Sequence, residues 1–172
     1  MIKSDVHSSE FDTYYTRYID KLADKTELIK GFETGKQHLI NFFESIPEDK
    51  LTFRYQPNKW SIKEILQHLI DTERIFMYRC FRIARRDPTA LAGYDQNIYV
   101  DPSQADDKSI EGLLDEFTIN RNNSISLLSS FTDEDLSFIG NSNGGVLSAR
   151  AAAFIIIGHD IWHTEVITNK YL

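Results

Sequence analysis

Four long stretches of the chain repeat apolar residues at intervals of three and four, and none of them is interrupted by proline. Pro47, Pro57, Pro88 and Pro102 all fall between the periodic segments, where a missing N–H breaks no helical hydrogen bond. The first segment, about Thr26 to Ile46, carries Leu28, Phe32, Leu39, Phe43 and Ile46 near helical period. The second runs to about Arg86 and has the clearest start, because Ser61 and Glu64 spell a capping box behind the apolar Trp60. Ile62, Ile65, Leu69, Phe76, Cys80 and Ile83 form its core stripe, with His68, Thr72 and Ile75 on an adjoining strip. The third, about Lys108 to Ser130, aligns Ile110, Leu114, Phe117, Ile125 and Leu128 with Arg121 on the same face. The fourth opens at a Ser148 cap and runs to about Lys170. Its Ala151–Gly158 portion is apolar all round, the pattern of a helix that is fully buried, in part against a second subunit.

These four helices, with connections of unequal length, predict an all-α four-helix bundle with long crossover connections. Residues 26–172 form one domain, and residues 1–25, with Tyr14, Tyr15, Tyr18 and Ile19, form an N-terminal arm expected to pack on it. No β-strand is expected: Ile155–Ile157 sits inside a helical segment, and Asn97–Val100 is too short to anchor a sheet. The connection from Asp87 to Asp106 is long and rich in aromatics, as functional loops often are.

Charge narrows the partners. With 26 Asp and Glu against 19 Lys and Arg, the net charge is −7, a field that repels a phosphate backbone, so no nucleic-acid partner is expected. The first residues lack the basic end and apolar run of a signal peptide, and no stretch has the roughly 18 apolar residues of a membrane span. The expectation is a cytoplasmic protein that acts on a small molecule, with no membrane partner. Cys80 is the single cysteine, which excludes an internal disulfide and a thiolate cluster.

The strongest chemical signal is Gly158-His-Asp-Ile-Trp-His. His159 and His163 are four apart and share one helix face. Two imidazoles alone make a weak metal site and are more readily two hydrogen-bonded core histidines. His68 is the candidate third ligand, and three histidines with an open position form a catalytic type of site. His7 and His38 carry no such argument. Arg121, facing inward, needs a partner, and Glu73 on the second helix is the candidate, more simply as a structural ion pair than as a substrate anchor. Asp71 and Glu73 are poorly placed as ligands. Asp95, Asn97 and Tyr99 read equally as turn residues or as a pocket wall.

Several stretches together resemble the DinB-like superfamily, also called YfiT-type metal-dependent hydrolases, which includes bacillithiol transferases and is unrelated to the polymerase of similar name. They are Lys59-Trp-Ser-Ile-Lys-Glu-Ile-Leu-Gln-His-Leu-Ile-Asp-Thr-Glu-Arg, Tyr78-Arg, Arg82-Ile-Ala-Arg, Gly93-Tyr-Asp-Gln-Asn, Glu116-Phe with Arg121, and the final Gly158-to-His163 motif. Their order and spacing, over about residues 50 to 170, carry the resemblance. It implies a four-helix bundle, frequent homodimers, and a divalent ion, typically nickel or zinc, on His68, His159 and His163. One departure is Trp162, where relatives commonly carry a further histidine. It leaves the ligands intact and alters the pocket.

Two chemistries follow from such a site. In one, the ion lowers the pKa of a low-molecular-weight thiol co-substrate, which then attacks an electrophile; in the other, it activates water for hydrolysis. Hydrolysis usually wants a carboxylate base, and Asp160 points about 100° round the helix from His159, so thiol transfer ranks first. A metal-dependent hydrolase and a non-enzymatic metal-binding, stress-associated scaffold are the alternatives.

Overall fold

The structure is a computed structural model that describes all 172 residues, Met1–Leu172. The four periodic segments are its four long helices, α2 (Leu28–Glu44), α3 (Ile62–Ala84), α5 (Ile110–Ser129) and α7 (Ala149–Lys170). Shorter helices are α1 (Thr16–Ile19), α4 (Asn97–Ser103) and α6 (Asp133–Ser137). In the bundle α7 packs on α2 and α3, and α5 packs on the same two helices from the other side. The start signals act as read: Ser61 accepts from the Glu64 N–H while Glu64 caps the Ser61 N–H, and Ser148 accepts from Ala151.

The bundle has two apolar cores separated by a polar layer. One core gathers Phe32, Phe76, Cys80, Leu128 and the Ala151–Ile157 run; the other gathers Leu39, Phe43, Ile62 to Ile70, Leu113, Phe117 and Ile167. Between them α3, α5 and α7 contribute Glu73, Arg121, His159, Asp160 and His163 at a common level, all buried. Buried polar groups on this scale are tolerated only when they satisfy one another or hold a ligand. The all-round apolar half of α7 is covered by the chain itself, through α1, α2 and α3. The apolar run Ala151–Gly158 is thus buried within the chain itself.

Two local readings are corrected. A β-hairpin is present, β1 (Ile139–Ser142) paired antiparallel with β2 (Gly145–Ser148). Its strands are too short to show alternation, but Asn143 and Gly144, at φ 56° and 79°, form the two-residue turn that Asn-Gly favours. The Asn97–Val100 segment is neither strand nor loop; it opens helix α4.

The first 25 residues are held to the body throughout. Glu10 accepts from Arg150 Nη2 and Nε, at 2.5 and 2.8 Å, and Phe11 bridges to Leu147 of β2. Lys21 pairs with Glu165 at 2.5 Å. Gly158 lets the arm approach α7 closely, with the Tyr18 carbonyl against its Cα.

Candidate metal centre

His68 of α3 and His159 and His163 of α7 meet at the polar layer. The Nε2 atom of His159 is 3.1 Å from that of His68 and 3.0 Å from that of His163. All three ligand atoms lie within 4.8 Å of one another. His159 and His163 are 5% and 7% exposed. Burial holds the His68 imidazole down at about 4, and burial with the neighbouring rings holds His159 and His163 well below their ordinary value. All three are therefore neutral at physiological pH, the form that ligates metal.

Protons alone do not satisfy this arrangement. A neutral imidazole Nε2 offers one N–H or one lone pair, so His159 Nε2 cannot serve two neighbours at once. Three lone pairs directed at a cation resolve the conflict. At bond lengths of about 2.1 Å, ligand nitrogens stand about 3.0 Å apart at right angles and about 3.4 Å apart in a tetrahedron, so the observed contacts fit a divalent metal ion. His68 Nδ1 lies 3.4 Å from the Thr72 hydroxyl, which is 3.2 Å from Tyr94 Oη. That chain of contacts fixes the His68 ring, as outer-shell partners of metal ligands do.

A cavity of about 200 Å³ opens on the three histidines. Its walls are Tyr14, Tyr15 and Tyr18 of the arm region, Trp60, Phe76 and Trp162, with Ile155 and Gln96 completing it. Tyr18 stands edge-on to His159 with centroids 5.1 Å apart, and Trp162 is edge-on to both Tyr18 and His163. Trp60 tilts over His68 at 4.7 Å. Trp162 thus occupies the departure noted in the sequence as a wall of the cavity.

Arg121 does not reach this cavity. It is fully buried, its Nε donating to both Glu73 oxygens at 2.9 and 3.0 Å and its Nη2 to Asp160 at 2.7 Å. Phe32 and Phe117 flank the guanidinium at 4.9 and 5.0 Å. The expected Glu73 partner is present, and Asp160 is a second that spacing alone did not reveal. Burial works against the Arg121 charge, and the two carboxylates more than offset it, raising its pKa. Asp160 is pushed up to about 6 by burial, against the pull of Arg121 and with the Glu73 charge adding to the rise. Asp95 and Asn97 bond each other in an exposed turn, with the Asn97 N–H and side-chain amide both on Asp95 Oδ1 at 2.9 Å. Tyr99 packs beside Tyr94 on the neighbouring side of His68. Of that loop, the residue at the cavity is Gln96, which the sequence does not single out; its signal there is its place in the Gly93-Tyr-Asp-Gln-Asn stretch, between two turn residues.

The arrangement has counterparts. The model of the DinB superfamily matches residues 32–167. This chain belongs to the DinB superfamily. A protein of Oceanobacillus iheyensis, provisionally named a metal-dependent hydrolase, is 27% identical to it over 84% of this chain and 81% of that protein. The solved structure of YfiT from Bacillus subtilis, described as having an unusual four-helix bundle topology, superposes with a TM-score of 0.75. That superposition covers 95% of this chain and 89% of YfiT at 16% identity. The four-helix architecture is therefore shared with YfiT at low sequence identity. No helix here is long and apolar enough to cross a membrane.

Proposed function

We propose that the protein is a metal-dependent enzyme in which His68, His159 and His163 hold one divalent ion, nickel or zinc, and that it transfers a low-molecular-weight thiol to an electrophilic small molecule. The observation that carries the metal-dependent reading is the convergence of three neutral imidazole nitrogens at the floor of an open cavity. A structural site is closed by a fourth protein ligand, whereas this group has three members and a cavity on its free side. The provisional name of the Oceanobacillus protein, and the provisional description of YfiT as a metal-dependent hydrolase, support the metal-dependent class.

A divalent ion bound there supplies Lewis acidity, which makes a coordinated nucleophile a stronger acid. The residues around it do the rest. The three imidazoles stay neutral and are held in orientation by Thr72 and by the rings of Trp60, Tyr18 and Trp162. The aromatic walls exclude bulk water from the side where the electrophile sits. No carboxylate lines this cavity to take a proton. That favours a nucleophile that is already a fair acid: a thiol ionises at about 8.5 and water only far above that. Hydrolysis is the second reading, supported by the names of the relatives.

The test is metal content by mass spectrometry on untagged protein, beside His68→Ala, His159→Ala and His163→Ala. About one ion per chain in the wild type, lost from each variant, is expected; an empty wild type after incubation with nickel or zinc would sink the metal reading. Loaded protein is then given thiols with monochlorobimane, and separately a panel of esters and amides. Conjugation supports transfer, and hydrolysis without conjugation replaces it with the second reading.

A further inference from the structure

The cavity above the three histidines has an unusual wall. Six of its side chains are aromatic, and none of its lining residues is Lys, Arg, Asp or Glu. The cavities that join it at Gln96 add Asp12, Glu64 and Asp71 and again no Lys or Arg. The nearest guanidiniums stand behind or beside the rings and are engaged there: Arg79 lies over Phe76 and Tyr94, donates to the Ala92 carbonyl and is close to Tyr15, and Arg17 stacks on Tyr14. An anionic group entering here would find carboxylates at the rim and no lysine or arginine in the wall; the cation open to it would be an ion at the histidines, at the floor and not among the rings. A cationic group would be attracted by the rings but repelled by a divalent ion at the histidines.

Three of the six rings, Tyr14, Tyr15 and Tyr18, come from a segment that precedes the match to the family, which begins at residue 32. They are graded in depth: Tyr14 is 49% exposed at the mouth, and Tyr18 is 7% exposed against His159. The volume of about 200 Å³ exceeds the roughly 150 Å³ that holds a benzene-sized ring in a protein interior. Besides the tyrosines, the histidines and the two indole N–H groups, Gln96 is the hydrogen-bonding side chain of the wall, and its amide both donates and accepts.

We propose that the cavity binds an uncharged aromatic ring of the electrophilic substrate, and that Tyr14, Tyr15 and Tyr18 make the N-terminal arm the element that sets this specificity. The inference rests on the three histidines being the reaction centre, but ring binding itself needs no metal. Stacking and burial of one ring against these walls supply the affinity. Gln96 gives direction to a polar substituent on the ring.

The chain has two tryptophans, and both line this cavity, so intrinsic fluorescence reports on its occupant directly. We would titrate metal-free protein with nitrobenzene, an uncharged quencher, and with 4-nitrobenzoate, correcting each against N-acetyltryptophanamide. Saturable quenching by nitrobenzene with a dissociation constant at least ten-fold below that of 4-nitrobenzoate is expected. In zinc-loaded protein, 4-nitrobenzylamine should bind at least ten-fold more weakly than nitrobenzene. Tyr18→Ala and Tyr14→Ala/Tyr15→Ala should each weaken nitrobenzene by ten-fold or more while circular dichroism stays helical. Equal binding of neutral and charged rings, only linear quenching, or arm variants that bind as the wild type does would each overturn the proposal. The wild-type ligand series decides the matter even where a variant fails to fold. Ring binding to a protein that takes up no metal would leave this proposal standing and remove the metal reading.

Discussion

The carbonyl oxygen of Tyr18 lies 2.0 Å from the position a β-carbon on Gly158 would occupy. The arm therefore meets α7 backbone to backbone, one residue before His159, and this contact seats the Tyr18 ring against the metal centre. In an ordinary helix Gly→Ala stabilises by about 1 kcal/mol. Gly158→Ala should do the reverse, because the opposing atom belongs to the main chain and cannot swing away. We expect a loss of about 1–3 kcal/mol, the range for overpacking, in urea unfolding, together with weaker nitrobenzene quenching. A Gly158→Ala protein as stable as the wild type would show that the arm does not rest there.

Arg121 carries one positive charge between Glu73 and Asp160, so the buried trio has a carboxylate in excess. Arg121→Met would leave two buried carboxylates facing each other, and should cost about 3–5 kcal/mol, as breaking a buried pair does. Glu73→Gln removes the surplus charge and should cost distinctly less. Urea midpoints of the two variants check the order; the opposite ranking would mean that Glu73 is the indispensable partner.

Burial pushes the Glu10 carboxyl up, but the Arg150 fork and the His7 N–H reverse this and leave its pKa below the ordinary value. A carboxyl depressed in the folded state contributes stability above its unfolded pKa and loses it as pH falls through the folded value. Below about pH 4.5 the arm should therefore loosen. Hydrogen exchange of residues 1–25 should rise there in the wild type and be already raised at pH 7 in Glu10→Gln. Exchange in Glu10→Gln that matches the wild type at pH 7 would show that the latch holds nothing.

Burial in the core with Phe32, Phe76 and Leu128 pushes the Cys80 thiol up to about 12, leaving almost no thiolate at neutral pH. Native protein at pH 8 should not react with Ellman's reagent over an hour, and one thiol per chain should appear on denaturation. Rapid reaction in the native state would place Cys80 at an open surface.

The helical parts of this structure are local, and so the chain announces them. Apolar residues at helical spacing, the Ser61 and Ser148 caps and the four prolines mark α2, α3, α5 and α7 to within a few residues. The hairpin escaped because its strands are four residues each and pairing, not periodicity, defines them.

The three histidines were legible as candidates, since His159 and His163 share a face through spacing alone. Their convergence with His68 was decided by the packing of α3 on α7. Asp160 as second partner of Arg121, and Tyr14, Tyr15, Tyr18 and Gln96 as cavity wall, cannot be read from the sequence. They are contacts between segments far apart in the chain, set by where the arm and the α3–α4 connection come to rest. Short-range periodicity and capping thus determined which helices form and which residues could bind a metal. Only the tertiary structure decided what surrounds that site, because long-range packing brings those side chains together.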